Sequence, residues 1–420
     1  MTFVSPSAAL AEPLTLDAAH AYLEASALTD SAVGTVGLEV EAHLVDLAIP
    51  ARQVDWPRVD AAANAGRSAL PHSAVTVEPG GQLEISGPPG EDVVAAVAAL
   101  RHDEQRLRLV LADRGLGLAH LGADPLRSPV RVNPRSRYSA MEEHYASAGR
   151  TVAGRTMMCA TAALQVNLQA GPAVGWRDRV AQAHRLGPVL MAVAANSRWV
   201  AGRRTGWVSA RERAWQRLDP RSTAPIRPDA DPVASWARYA LAAPVVFVAS
   251  PHGDATPVRT PVPFADWITG QVQLAGRRPA VADLRTHLST LFPPVRLRGY
   301  LEVRFLDISA PRWWPAVAAT TAVLMDDPRA ADRAAAATEA LAHLPGRWSR
   351  AARLGLGDVT IAAAARRCLA IAAEHVPAPL AASVTDLAEL VESGRCPGDV
   401  VDRRIAEVGP EVLLSEVSHA

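Results

Sequence analysis

Not one of the 420 residues is a lysine, so every strongly basic side chain is an arginine. A Walker-type phosphate loop ends in Gly-Lys-Ser/Thr, kinase chemistry needs its strand lysine, and Schiff-base catalysis needs a lysine amine. All three are excluded. If this chain handles phosphate, it must use arginine, backbone amides and metal ions. Cysteine is nearly as scarce: Cys159, Cys368 and Cys396 are far apart and odd in number. That pattern fits buried thiols in a reducing compartment better than a disulfide framework or a zinc knuckle. Neither sign of charge is in surplus, with 43 basic and 43 acidic residues, so nothing recommends nucleic acid or an anionic membrane as the main partner. No stretch supplies the roughly 20 uninterrupted apolar residues of a membrane span. The opening MTFVSPSAALAEPL lacks the basic start and continuous apolar core of a secretory signal, and a cytoplasmic location is expected.

What the chain has is a 49% hydrophobic composition, enough for a substantial core in one large domain or two ordinary ones. Hydrophobic periodicity predicts a helix over 16–27 and a strand over 35–47, then a second strand-like segment over 76–86 kinked at Pro79-Gly80-Gly81 and ended by GPPG. A helix follows, with Glu91 and Asp92 in its first turn, apolar residues at Val93, Val97, Leu100 and Leu107, and a stop at Gly115. LGLAHLGADP returns as a strand. Tyr138, Met141 and Tyr145 suggest a helix over 137–149, and TAALQVNLQAGP alternates strictly as a strand. A helix is expected over 176–200, long loops over 202–263 broken by one short helix near 233–243, and a fourth alternating strand over 296–309. From Trp313 on, the chain is alanine-rich and helical. Loops as long as 202–263 in a compact enzyme tend to face substrate.

Four strands share one feature, an apolar face opposite a face of carboxylates and carboxamides. The polar sets are Glu39/Glu41/His43, Gln82/Glu84, Gln165/Asn167/Gln169 and Glu302/Arg304, each on one side by the period of two. In a common sheet they would line one surface holding at least four glutamates, with Glu78 a fifth across the kink. For any one strand, a solvated face is the better explanation of the pattern. The set points elsewhere, because Glu recurs with Gln and Asn, all oxygen donors of the kind that Mg²⁺ or Mn²⁺ prefers. His43 shares the face, but a lone strand histidine is more often a hydrogen-bonded structural residue than a ligand. Arg304, two residues beyond Glu302, is placed either to hold a phosphoryl or carboxylate group bidentately or to pair with Glu302 or Glu84. Trp207, Trp215, Trp313 and Trp314 read as core and loop packing.

In order, VGLEVEAHLVD, EPGGQLEIS, MMCATAALQVNLQAGP and HLSTLFPPVRLRGYLEVRFLD resemble the motifs of the glutamate–cysteine ligases of the plant and proteobacterial type. Within that family the alanine-rich, lysine-free chain is most similar to the actinobacterial branch that feeds ergothioneine synthesis. The resemblance runs over about residues 36–327. It implies an α+β fold, a curved, mainly antiparallel sheet with helices on its outer face, like the glutamine synthetase catalytic domain. It further implies one catalytic domain over 1–420, with a sheet-bearing core (28–311) and a helical C-terminal part (312–420).

The implied reaction uses ATP to phosphorylate the γ-carboxylate of L-glutamate, after which the amine of L-cysteine displaces phosphate to give γ-glutamylcysteine. Carried over by position, Glu39, Glu41, Glu78, Glu84 and Glu302 match metal-binding carboxylates, and Gln165 falls where the family has a metal-ligating histidine or glutamine. Asn167 shares that strand face and, with Gln165, is expected to contact ATP or substrate. Arg304 matches an arginine that contacts the transferring phosphoryl group, and with Glu302 makes up the expected catalytic pair. Arg203 and Arg221 match loop arginines that hold glutamate. Mg²⁺ is the implied metal, with Mn²⁺ an alternative. No general base is identifiable, and the three cysteines offer no counterpart to the cysteine pairs of redox-controlled plant relatives. Two other readings stay open: a ligase of the same fold with another amine acceptor, and a nucleotide- or metal-binding protein without turnover.

Overall fold

A computed structural model of the chain describes residues 12–226, 230–250 and 253–419. Most of the opening stretch read for a signal, residues 1–11, lies outside these. The centre is an open antiparallel sheet of seven strands. β1 (Val36–Asp46), β2 (Ala74–Val77), β3 (Leu83–Ser86), β4 (Leu116–Ala119) and β5 (Ala163–Gln169) belong to it, as do β10 (Val295–Leu297) and β11 (Tyr300–Asp307). Their order is β10-β11-β5-β1-β3-β2, with β4 also on β1. Two ribbons lie apart: β6 (Trp199–Val200) with β7 (Arg203–Arg204), and β8 (Phe247–Ala249) with β9 (Ala255–Pro257).

β1 is the organising strand because its 11 residues serve two sets of neighbours. Residues 36–42 pair with β3 and β5, and 43–46 pair with β4. Its Leu38, Val40, Ala42 and Leu44 are buried, as alternation predicts, and they drive burial of the face that helices cover. The helix Val93–Ala112 packs on β1, Trp314–Asp326 on β5, and Trp176–Ala194 on β11. Asp92 is the N-cap of the first of these, its carboxylate accepting from the Ala95 amide. One apolar cluster runs from Leu14 through the sheet to Val391 in the C-terminal helices, so those helices roof the sheet. The α+β class with an antiparallel sheet is as expected. Among the described residues no helix is long and apolar enough to cross a membrane, and all three cysteines are buried and free.

Several local expectations need correction. The segment 76–86 is two strands joined by a tight turn: Glu78 N donates to Gln82 O at 2.9 Å and Gly81 N to Glu78 O at 3.0 Å. Gly81 has φ +87°, a conformation glycine adopts at little cost. Residues 296–309 likewise divide at Gly299, φ +80°, into β10 and β11. A second helix, Thr151–Ala160, precedes β5, and the helix begun at Trp176 ends at Ala194. The stretch 202–263 carries helices at Ala210–Gln216, Pro220–Thr223 and Pro232–Ala242, with 227–229 and 251–252 outside the described residues.

Candidate active site

The polar sides of the four strands do meet. A cavity of about 240 Å³ is lined by Glu39, Glu41, Glu78, Gln82, Glu84, Gln165, Glu302 and Arg304 from the sheet and its hairpin turn. Register explains the crowding: Glu41 lies directly opposite Glu84, Glu39 opposite Gln165, and Glu302 opposite Asn167. The turn after β2 brings in Glu78. That turn is pinned because Pro79 O accepts from Val132 N at 2.8 Å and Asn133 N at 2.9 Å, and a Cβ on Gly80 would stand 2.3 Å from the Cys159 carbonyl oxygen.

Four carboxylates share this space with little to neutralise them. Burial, then repulsion from Glu84 and Glu302, pushes Glu39 up to about 7. Burial raises Glu41 against the opposing pull of Arg211; burial and then Glu41 raise Glu84. Burial and then Glu84 lift Glu78 well above the ordinary carboxylate range. Their hydrogen bonds are few: Glu39 accepts from Asn167 Nδ2 at 3.0 Å, Glu41 from the Ala163 amide at 2.8 Å, and Glu84 from Thr76 Oγ1 at 2.8 Å. Four half-buried carboxylates so poorly compensated are costly in a fold alone. An oxygen-only set fits a hard divalent cation. Among the described residues, however, no group of three or more histidine, cysteine or carboxylate side chains is arranged to hold a metal ion. The expected set reaches one cavity without closing into a cage, which mutual repulsion disfavours.

Glu302 differs from the other four. Arg296 holds it in a bidentate pair, Arg304 stands 3.2 Å away and Arg298 3.4 Å. Burial alone would raise it, but Arg296 and then Arg304 overcome that and hold it at about 2. Arg304 also donates to Gln165 Oε1 at 2.7 Å and lies over the Phe292 ring at 5.7 Å, fixing its guanidinium at the boundary between carboxylates and cations.

The two loop arginines go elsewhere. Arg203 is exposed on the β6–β7 ribbon, and Arg221 is exposed and paired with Asp219 at 2.7 Å; neither lines the cavity. Asn167 does not line it either and braces Glu39 from the side. His43 lies past the point where β1 changes partner, its Nε2 bonded to Leu121 O at 3.0 Å, and burial drops it to about 4. Gln169 accepts from the Thr35 amide at 3.4 Å.

The structure instead supplies Arg137, Arg211, Arg296 and Arg298 to the lining. Arg211 is buried, donating to Glu212 Oε1 at 2.9 Å and to the Arg304 carbonyl at 2.7 Å. Its helix is tied to the end of β11 by Asp307, which accepts from Ser197 Oγ at 2.6 Å and Ser209 Oγ at 2.9 Å. Trp215, read from the sequence as packing, lines the cavity 4.8 Å from Phe292. No local pattern announces these residues, because each reaches the site through tertiary contacts.

The model of Glutamate-cysteine ligase family 2 (GCS2) matches residues 35–413. The chain belongs to this family. It is 48% identical over 406 residues to the glutamate–cysteine ligase EgtA of Mycobacterium tuberculosis, covering 96% of this chain and 93% of that one. It is 48% identical over 403 residues to EgtA of Mycolicibacterium smegmatis, covering 95% and 94%. The chloroplastic glutamate–cysteine ligase of Medicago truncatula is 29% identical over 265 residues, 61% of this chain and 51% of that one. A solved glutamate–cysteine ligase of Francisella tularensis, in complex with AMP, aligns over 93% of this chain and 88% of that chain at 12% identity and TM-score 0.48, a likeness too slight to carry an argument.

Proposed function

We propose that this protein is an ATP-dependent ligase that joins the γ-carboxylate of L-glutamate to the amine of L-cysteine, forming γ-glutamylcysteine. The observation that carries the reading is the cavity itself: four half-buried, under-compensated carboxylates on one side and fixed arginines on the other. Membership of the glutamate–cysteine ligase family supports the substrates.

Glu39, Glu41, Glu78 and Glu84, with Gln165, would hold Mg²⁺ or Mn²⁺, and burial, oxygen donors and surplus negative charge all fit that role. When bound, such ions supply screening between the ATP phosphates and the glutamate carboxylate and stabilise charge in phosphoryl transfer. Arg304 faces the transferring group with its guanidinium held by Gln165, Glu302 and Phe292, so no reorganisation is needed as charge develops. Arg211 sets the Arg304 backbone. Glu302, occupied by arginines, orients Arg304 and Arg298.

In the first step a γ-carboxylate oxygen attacks the ATP γ-phosphorus and ADP leaves. In the second the neutral amine attacks the acyl carbon, phosphate departs with the bridging oxygen, and one proton is lost. The same reading treats residues 1–420 as one catalytic domain, supported by the core shared between sheet and C-terminal helices. Similarity to the two EgtA ligases supports a place in ergothioneine synthesis in the cytoplasm.

The test is ATP turnover with Mg²⁺, glutamate and a panel of amines, with products identified by mass. ADP formed without any need for glutamate would sink the ligase reading. Preference for an amine other than cysteine would keep the chemistry and change the acceptor.

A further inference from the structure

Next to the carboxylate cavity lies a second chamber of about 500 Å³, with Arg137, Ser289, Arg296 and Arg298 lining both. Its charge is the reverse of its neighbour's. Among the described residues no aspartate or glutamate lines it, while Arg137, Arg285, Arg296 and Arg298 do. The only carboxylate paired with any of these four, among the described residues, is Glu302, which is shared with Arg304. Arg285 spends its Nε on the Tyr22 hydroxyl at 3.2 Å, and Arg137 donates one nitrogen to Ser289 O at 3.2 Å. Neither forms an ion pair among the described residues. The remaining wall is neutral, with Leu288, Leu297 and Trp236 beside Tyr22, Ser26 and Ser289.

We infer that this chamber binds the α-carboxylate of an amino-acid substrate, with Arg285 and Arg298 at its open edge as the guanidinium contacts; the inference rests on the ligase reading above. A free carboxylate is the anion that suits it. The phosphates of ATP belong to the neighbouring cavity, where surplus carboxylates call for cations to bridge to them. The chamber has surplus fixed positive charge and no acidic lining, so it takes an anion directly. Its continuity with the carboxylate cavity lets one end of a short molecule rest on arginine while the other reaches the reacting centre. Glutamate and cysteine share this chemistry. The assignment also answers the displacement of Arg203 and Arg221 from the cavity, since it provides other arginines for substrate.

The test uses the full-length protein with Arg285→Gln, Arg298→Gln and the double variant. Both side chains are exposed, and far-ultraviolet CD verifies the fold. Steady-state kinetics are read with ATP, glutamate and cysteine varied in turn, then with cysteamine in place of cysteine and 4-aminobutyrate in place of glutamate, each lacking the α-carboxylate. KM for one amino acid should rise about tenfold or more, the loss of a charge-assisted contact, with KM for ATP within about twofold. The preference for that amino acid over its decarboxylated analogue should collapse in step, which identifies whether glutamate or cysteine occupies the chamber. A rise confined to KM for ATP, or unchanged kinetics in the double variant, would overturn the assignment. If the wild-type protein makes no γ-glutamyl product at all, the ligase reading itself fails, an outcome distinct from either.

Discussion

Replacing Glu41 by Gln should make the ligand-free protein more stable and the enzyme inactive. Glu41 and Glu84 face each other across β1 and β3, where cross-strand Cβ atoms are about 5 Å apart. Two full charges about 6 Å apart at an effective dielectric near 20 repel by about 3 kcal/mol. Arg211 and Arg304 offset part of this, and proton uptake relieves more, because burial holds Glu41 above the ordinary carboxylate range. A net gain of about 1–2 kcal/mol near pH 8 remains once the repulsion is removed. Gln keeps the shape and its Oε1 can still accept from the Ala163 amide, so the fold loses no bond. Chemical denaturation without metal or nucleotide measures the first effect, and initial rates at saturating Mg²⁺, ATP, glutamate and cysteine the second. Turnover should fall at least about a hundredfold, as for loss of a group stabilising transition-state charge. A ligand-free variant less stable than wild type, or one with near-normal turnover, would refute the claim that the carboxylates serve catalysis against the interest of the fold.

Arg296→Met should cost on the order of 3 kcal/mol in denaturant unfolding, because Glu302 is left buried with only Arg304 and Arg298; a loss below about 1 kcal/mol would show that those two suffice. Gly80→Ala should reduce kcat/KM at least about tenfold with native CD, since the new Cβ meets the Cys159 carbonyl at 2.3 Å and the turn carrying Glu78 must shift; unaltered kinetics would detach Glu78 from the mechanism. His287 is buried, its Nε2 bonded to Ala240 O at 2.8 Å, and burial drops it to about 4. Its folded value lies below the unfolded value near 6.5, so its contribution is fully present above about pH 6.5 and is lost as pH falls toward 4. Against His287→Gln, the wild-type protein should lose extra stability over that window in parallel unfolding curves; curves of equal slope would place the imidazole in water.

Much of the site could be read from alternation, because a half-buried strand writes its two faces directly into the sequence. Glu39 and Glu41, Gln82 and Glu84, Gln165, and Glu302 with Arg304 all reach one cavity for that reason. Alternation does not report where a strand changes neighbours, so His43 shares the period of Glu39 and Glu41 yet sits among Leu121, Asp124 and Arg127. Nor does it divide a run at a glycine: Gly81 and Gly299 take positive φ, and the turns they permit brought in Glu78 and Arg296. The arginines were the least legible feature. A long side chain finds its partner through space, so Arg137 and Arg211 reach the cavity from helices, while of the two arginines in the loop expected to hold substrate Arg221 pairs with Asp219 and Arg203 lies exposed on its ribbon.

The most direct measurement follows one oxygen. Glutamate labelled with ¹⁸O in its γ-carboxylate is incubated with the protein, Mg²⁺, ATP and cysteine, and the phosphate released is analysed by mass. An acyl phosphate requires that one labelled oxygen leave with phosphate for each γ-glutamylcysteine formed. Unlabelled phosphate beside genuine product would mean that the amide bond forms without a γ-glutamyl phosphate, and would contradict the account of this site.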